Sequence, residues 1–208
     1  MSGHSAESGG GPAKQYELTV ALLVVFLMLS ALADSALMSA QTRSATEYQV
    51  KAAFLFNFAK FVEWPQGTFT GPTQTFDICV YGPDPFGPVL EKELLGKSVG
   101  DRRVALGRAM RVEDLAGCRV IFVGAWGREP VGELFRRLKD HAILLVGEAD
   151  GFAAAGGTIQ FTIEDNRVRF VINPDAADRA GLKISSKLLA LAKIVHDSHR
   201  SLAGISPK

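Results

Sequence analysis

The residue types that usually carry chemistry are few and scattered in this 208-residue chain. The nearest match to a phosphate-binding loop is Gly151–Thr158, which reads G-x-x-x-x-G-G-T. Such a loop needs a lysine where Gly157 stands, and a following helix that aims its backbone amides at the phosphate. A strand pattern follows instead. We therefore interpret the segment as a tight turn that leads into a hairpin.

Metal and nucleophile chemistry have equally little support. His196 and His199 could share one face of a helix, but a zinc site needs three or four ligands and no third is in view. No cysteine–histidine pair or Gly-x-Ser-x-Gly segment indicates an activated nucleophile. Ser185–Lys187 lacks the Ser-x-x-Lys spacing and fits a helix cap. We expect no enzyme activity, no catalytic residue, no bound metal and no cofactor.

Basic residues are concentrated in two runs, Arg102, Arg103, Arg108 and Arg111 in the first and Arg136, Arg137 and Lys139 in the second. Because arginine binds carboxylates and phosphates through paired hydrogen bonds, either run could line a small-anion pocket or face an acidic partner. The alternative is a solvated surface. The net charge of +1 lacks the concentrated excess of a nucleic-acid binder, so we expect no nucleic-acid partner.

The first 40 residues have the layout of a signal peptide. An apolar stretch runs from Leu18 to Ala33, and small residues follow it, with cleavage sites near residue 33 or residue 40. The stretch holds about 16 residues, just below the ~18 of a membrane span, so an uncleaved anchor is the alternative. We predict export to the periplasm, one domain over residues 41–208, and no stable membrane insertion after cleavage.

Export makes a disulfide between the two cysteines a reasonable expectation. Cys79 lies in an apolar strand pattern and Cys118 lies just before another. An even number of cysteines in an exported chain indicates one disulfide, and two buried free thiols are the alternative. Closing a loop of this size would stabilise the fold by about 4 kcal/mol.

The element around which the chain is organised is a strongly apolar helix over residues 48–65. Its apolar side chains recur at the i, i+3, i+4, i+7 spacing, and polar residues interrupt it only at Lys51, Asn57, Lys60 and Glu63. Such a helix must pack against a sheet or a partner, and Pro65 should end it. We expect a core helix, and we expect a homodimer because so apolar a surface needs cover.

Strand and helix patterns alternate along the rest of the chain. The predicted strands are Phe76–Tyr81, Arg103–Met110, Arg119–Gly124 and Ala142–Gly147. The predicted helices are Pro85–Leu95 with Asp84 as its cap, Pro130–Asp140, Pro174–Ala180 and Ser186–His196, with a helical turn at Glu113–Leu115. A strand–helix–strand order favours a right-handed parallel crossover.

The clearest pattern is an antiparallel hairpin formed by Thr158–Glu164 and Arg167–Ile172. A two-residue Asp165-Asn166 turn places Glu164 opposite Arg167 and puts all the apolar pairs on one face. That face should belong to the core, and the other should be wet or form an interface. The fold class is therefore α/β, with three layers, a mixed sheet with helices on both faces, and a C-terminal hairpin followed by a helix.

Several segments together resemble the YfiR-like family: Gln49–Pro65, Ile78–Gly82, Phe152–Gly157, Val168–Asn173 and Gly181–Leu189. The resemblance runs in order from about Tyr48 to Val195. It implies a periplasmic protein that binds and represses the periplasmic sensor domain of an inner-membrane diguanylate cyclase, and so lowers cyclic di-GMP signalling and biofilm formation. It also implies a disulfide between Cys79 and Cys118, whereas the second cysteine pair of some relatives is missing here.

A protein that acts in this way needs a contact surface rather than catalytic residues. Our candidate partner contacts are Phe152, Glu164 and Arg169. Phe152 is a large apolar residue in a loop of alanines and glycines, so it is either tucked under the loop or offered to a partner. Glu164 and Arg169 lie on the polar hairpin face. The alternative function is a periplasmic small-molecule binding protein or sensor whose α/β crevice holds an anionic ligand.

Overall fold

The computed structural model describes residues 44–71, 73–124, 131–138 and 141–197. The chain divides into two compact units, residues 1–45 and residues 46–208, and the second contains all of the described strands. The helices are α1 (residues 44–61), α2 (Pro88–Leu94), α3 (Val131–Leu138), α4 (Pro174–Arg179) and α5 (Ser186–Leu189), with a 3₁₀ helix at Val112–Leu115. The strands are β1 (Val62–Glu63), β2 (Phe76–Tyr81), β3 (Ser98–Val99), β4 (Arg102–Ala109), β5 (Cys118–Val123), β6 (Leu144–Gly147), β7 (Ile159–Glu164), β8 (Arg167–Ile172), β9 (Lys183–Ile184) and β10 (Lys193–Ile194).

Most strands form one eight-stranded mixed sheet in the order β10-β8-β7-β6-β5-β2-β4-β3. β7, β6, β5, β2 and β4 form a run of parallel pairs. β8 is antiparallel to β7 in the hairpin, β3 is antiparallel to β4, and β10 is parallel to β8. β1 and β9 form a separate two-stranded antiparallel sheet. The predicted α/β class with a mixed sheet is confirmed.

Two hydrophobic clusters cover the two faces of the sheet. Along β2, Ile78 and Val80 belong to the cluster that contains α1 and α2, while Cys79 and Tyr81 belong to the cluster that contains α3. This alternation follows from the two-residue period of a strand, which sends successive side chains to opposite faces. Helices therefore lie on both faces, as the sequence predicts.

The hairpin has the predicted register. Glu164 pairs with Arg167, Ile163 with Val168 and Phe161 with Phe170. Asp165 and Asn166 both have positive φ, 51° and 58°, which is the conformation that a tight two-residue hairpin turn requires.

The structure places a disulfide between Cys79 and Cys118, so the alternative of two free thiols is not realised. Both cysteines are buried between the neighbouring strands β2 and β5, with Cα atoms 5.9 Å apart. Gly107 on β4 faces the bridge, and a Cβ atom there would lie 2.8 Å from the Cys79 sulfur. The disulfide therefore crosslinks the centre of the sheet.

Two helix ends differ from the prediction. α1 ends at residue 61 rather than near Pro65, because the next residues pair with β9 and Ser185 N donates to Phe61 O. α2 begins at Pro88 rather than at Pro85. Asp84 does not cap a helix, since its Oδ1 accepts the backbone amides of Phe86 and Gly87 in a turn before it.

The predicted long helix from Ser186 to His196 is wrong. α5 ends at Leu189, Leu191 is 71% exposed, and the chain then forms β10, which lies parallel to β8. Backbone pairing at the sheet edge outweighs the helical spacing of the leucines. The predicted helix before β6 is described as Val131–Leu138, and its expected ends at Pro130 and Asp140 lie outside the described residues.

Candidate functional site

Phe152 is a core residue, so our expectation that it contacts a partner is wrong. Its side chain is 1% exposed and its ring packs edge-on against Phe135, 5.3 Å between centroids. The ring fills the space that two glycines leave open, since a Cβ atom on Gly157 would lie 2.1 Å from it and one on Gly147 2.7 Å. Of the two alternatives, the structure supports the ring tucked under its loop. The flanking glycines are the signal that could have identified it.

The structure keeps Glu164 and Arg169 on the exposed polar face of the hairpin. Arg167 and Arg169 lie on that same face, opposite Glu164 and Thr162 of β7. Within the described residues, none of the three charged side chains makes a hydrogen bond or ion pair. Their role as partner contacts remains a proposal.

These residues belong to a projecting part of the hairpin. β6 pairs with β7 only at Ile159 and Gln160, and β10 pairs with β8 only at Val171 and Ile172. We call residues 158–161 and 170–173 the hairpin base, and residues 162–169 the hairpin arm. In the described part of the chain, the two strands of the arm pair only with each other.

A cavity of about 600 Å³ lies beside the arm. It is lined by Glu47, Tyr48, Lys51, Glu148, Asp150, Phe161, Thr162, Ile163 and Glu164. We call this cavity the acidic basin. The side chain of Lys51 is buried in the wall of this basin. Its Nζ atom lies 2.6 Å from Glu148 Oε2, also contacts Glu47, and lies 4.7 Å from the Tyr48 ring centroid.

The basin carries more acidic than basic groups, because its lining includes four carboxylates and one lysine. Tyr48 donates a hydrogen bond to Glu148 Oε1 at 3.1 Å. Burial, followed by the charge of Glu148, raises the pKa of Tyr48 to about 12. The basin therefore suits a cationic group, and it does not fit the anionic ligand of the alternative function.

The first arginine run does not form an anion pocket either. Arg102 donates to the carbonyl oxygens of Gly71 and Gln74, at 2.8 Å and 2.9 Å, and its guanidinium lies 4.1 Å from the Phe69 ring centroid. Arg108 pairs with Asp84, and Arg111 with Glu113. These contacts spread the side chains over separate loops, so the guanidinium groups do not converge.

The second run lies on the surface of α3. Arg137 pairs with Glu113, and Arg136 pairs with Glu133. The hydrogen bond that Arg137 donates is the main reason that the pKa of Glu113 is lowered to about 2. These exposed ion pairs fit a solvated surface better than a ligand site. Lys139 lies outside the described residues.

Within the described residues, the remaining sequence motifs do not converge on a chemical site. His196 Nδ1 lies 3.1 Å from Asp175 Oδ2, while His199 is outside the described residues. No group of three or more metal-ligating side chains occurs in residues 44–71, 73–124, 131–138 and 141–197. The glycine-rich segment from 151 is a turn that leads into β7, as predicted. Among the described helices, none is long and apolar enough to cross a membrane.

Comparison with known proteins identifies the family. The YfiR/HmsC-like family matches residues 48–193 of this chain, which is most of its length. The chain belongs to the YfiR/HmsC-like family. This is a family of periplasmic regulatory proteins, so the family level supports a periplasmic regulator.

One solved structure is also similar, the crystal structure of a conserved domain protein from Vibrio cholerae. The TM-score is 0.41 and the sequence identity is 14%, and the match covers 58% of this chain and 54% of that one. The likeness therefore spans about half of the length of that protein.

Proposed function

We propose that this protein is a periplasmic repressor that binds the periplasmic sensor domain of an inner-membrane diguanylate cyclase and thereby lowers cyclic di-GMP. The observation that carries the proposal is the hairpin arm, which extends beyond its neighbouring strands and carries exposed charged side chains that make no ion pair within the described part of the chain. Family membership supports the regulatory role. Glu164 and Arg169 are the proposed partner contacts on this arm.

Repression by binding needs no catalytic group, but it needs unequal affinity for two states of the partner. A ligand that binds both states equally shifts nothing, and moving an equilibrium from 1:99 to 99:1 takes about 10⁴-fold preference. A rigidly based but exposed hairpin suits this task. Its base is fixed in the core while its arm can complement one conformation of the partner.

The proposal includes export and a single mature domain. The signal peptide would cover residues 1–40, with cleavage near residue 33 or residue 40, and the domain would cover residues 41–208. Mass spectrometry of the N-terminus of protein released from the periplasm tests this part.

A homodimer through α1 is part of the proposal. Val50, Phe54, Asn57 and Phe61 follow one another at the four-three-four spacing of a helix-packing seam. Val50 and Phe61 are exposed, and an apolar groove of about 170 Å³ lies between this stripe and Leu191. Light scattering should give a dimer for the purified protein and a monomer for Phe61→Asp. A monomeric wild type would remove the homodimer from the proposal.

The central test is cellular cyclic di-GMP in a deletion strain. We expect cyclic di-GMP to rise on deletion and to return to the wild-type level when the protein is expressed in the periplasm. Re-expression of a Glu164→Ala/Arg169→Ala double variant should fail to restore it. Arg103→Ala, which removes an exposed arginine from β4, is the matched control and should restore it. An unchanged level on deletion would overturn the repressor assignment.

A further inference from the structure

The outer edge of β8 carries backbone hydrogen-bonding groups that face away from β7. The two-residue turn makes Glu164 and Arg167 a hydrogen-bonded pair, so alternate residues Val168, Phe170 and Ile172 direct their N–H and C=O groups outward. Ile172 confirms this alternation, because its carbonyl oxygen accepts from Val195 N at 3.0 Å. Since β10 covers only Val171 and Ile172, Val168 has no strand beside it in the described part of the chain.

The side chains along this edge also alternate. Arg167 and Arg169 lie exposed on one face of the hairpin, with no ion pair among the described residues. Val168 lies on the opposite face, where Ile163 beside it is 49% exposed and Ile194 at the end of the same edge is 42% exposed. A strand added here would meet guanidinium groups on one face and apolar side chains on the other.

We propose that the β8 edge binds an extended segment of a partner protein in which acidic residues alternate with apolar residues. Strand addition of this kind obtains affinity from main-chain hydrogen bonds and specificity from alternate side chains. Acidic side chains would pair with Arg167 and Arg169, and an apolar side chain on the other face would pack beside Val168. This inference deepens the proposed function, and it rests on the claim that the protein acts by binding another protein.

Charge argues against two other occupants of the edge. A second copy paired through the same edge would place arginines of one chain opposite arginines of the other, and like charges directly opposite are destabilising. The chain's own residues 198–208 include His199, Arg200 and Lys208 and contain no acidic residue. The exposed arginines thus disfavour pairing with the chain itself, which is a common protection of edge strands, and leave an acidic partner as the favoured occupant.

The test is a nuclear magnetic resonance titration of the purified protein with a short synthetic peptide in which valine and glutamate alternate. We expect the backbone amide signals of Val168 and Phe170 to shift and their hydrogen exchange to slow. Arg167→Glu/Arg169→Glu should bind this peptide at least about tenfold more weakly, because the charge complementarity is reversed. Arg103→Glu is the matched control, with a similarly exposed strand arginine, and should bind like the wild type.

Control peptides separate strand pairing from simple charge attraction. A peptide with lysine in place of glutamate should not bind, and one with proline at its central positions should not slow amide exchange, because proline lacks the N–H donor. Equal binding of the lysine peptide, or shifts confined to the β7 edge at Ile163, would overturn the inference. Thermal unfolding of each variant checks that it is folded.

The two proposals fail in distinguishable ways. If the valine–glutamate peptide does not bind while deletion still raises cyclic di-GMP, the edge inference is wrong and the repressor proposal stands. If the peptide binds at Val168 while deletion leaves cyclic di-GMP unchanged, the edge binds acidic strands but the cyclase is not the target.

Discussion

The hairpin base and the hairpin arm share one pair of strands and one alternation, yet their environments are opposite. In the base, Ile159 and Ile172 are fully buried, and the buried polar side chains of Gln160 and Asn173 have partners. Asn173 Nδ2 donates to Ala153 O and to Asp197 Oδ1, both at 2.7 Å, and Gln160 Oε1 accepts from Ala153 N. In the arm, Thr162 Oγ1 is buried with no hydrogen-bond partner among the described residues, and there the charged side chains of Glu164, Arg167 and Arg169 make no ion pair.

The same strand pattern therefore supplies either stability or recognition, depending on what lies beside it. α1 packs Phe54 and Phe58 against Phe161 and Phe170 of the base, at ring-centroid distances of 5.1–6.2 Å. The apolar pair of the arm, Ile163 and Val168, lies further along the hairpin, and Ile163 is half exposed. Substitutions in the base should therefore change folding, and substitutions in the arm should change binding.

The largest expected effect is that of Phe161→Ala in the base. The side chain is buried among Phe54, Phe58 and Phe122, so truncation should lower the free energy of unfolding by about 3–5 kcal/mol. Chemical denaturation measures it. Ile163→Ala, two residues along the same strand face, is the matched control and should lower it by less than about 1 kcal/mol. Equal losses would show that the arm is as much a part of the core as the base.

The disulfide lies in the centre of the sheet, so its removal should lower stability but leave binding by the hairpin arm unchanged. Cys79→Ser/Cys118→Ser opens a loop with a sequence separation of 39 residues, and the chain-entropy argument gives a loss of about 4 kcal/mol in unfolding free energy. Peptide binding at the β8 edge should be unchanged at a temperature where the variant is folded. Denaturation of the oxidised and reduced wild type provides the comparison, and a small loss on reduction would contradict the expectation.

A smaller effect concerns the acidic basin at alkaline pH. Burial and Glu148 raise the pKa of Tyr48 to about 12, while an unfolded chain has the ordinary value of 10.0. Because the folded state holds the phenol proton more tightly, this contribution is fully present below pH 10 and is lost as pH rises toward 12. Tyr48→Phe should flatten the fall of unfolding free energy across that window. An unchanged slope in the variant would contradict the raised pKa.

The smallest expected effect on stability is that of Arg169→Glu in the arm. The side chain is exposed and makes no described ion pair, so the free energy of unfolding should change by no more than about 0.5 kcal/mol. Repression of cyclic di-GMP by the same variant should nevertheless be lost. A variant that unfolds more easily but still represses would reverse the assignment of base and arm.

Local patterns predicted the hairpin completely, because strict alternation and a two-residue turn leave one register. They failed at Leu191 and Ala192, where helical spacing continues but the chain turns to reach the edge of β8. Asp84 was misassigned because two prolines, Pro85 and Pro88, each follow a residue that could begin a helix. At Leu191 and Ala192 the pairing with β8, which is distant in sequence, decides between two acceptable local structures.

The candidate site was predictable only in part. The polar hairpin face follows from alternation, which places Glu164 and Arg169 together on the surface. The burial of Phe152 depends on Gly147 and Gly157, which approach its ring from β6 and from the end of its loop. The unpaired edge of β8 depends on the strand order, and the acidic basin depends on α1 meeting the loop after β6. No local pattern carries that information.

The central disulfide also sets how far the chain can be drawn out. A pulling force applied at the two ends of the domain passes from β2 to β5 through the sulfur atoms, so the chain between the cysteines, which have a sequence separation of 39, is never stretched. That span holds α2 and β4. At about 3.4 Å per residue, the oxidised chain should extend about 130 Å less than the reduced chain.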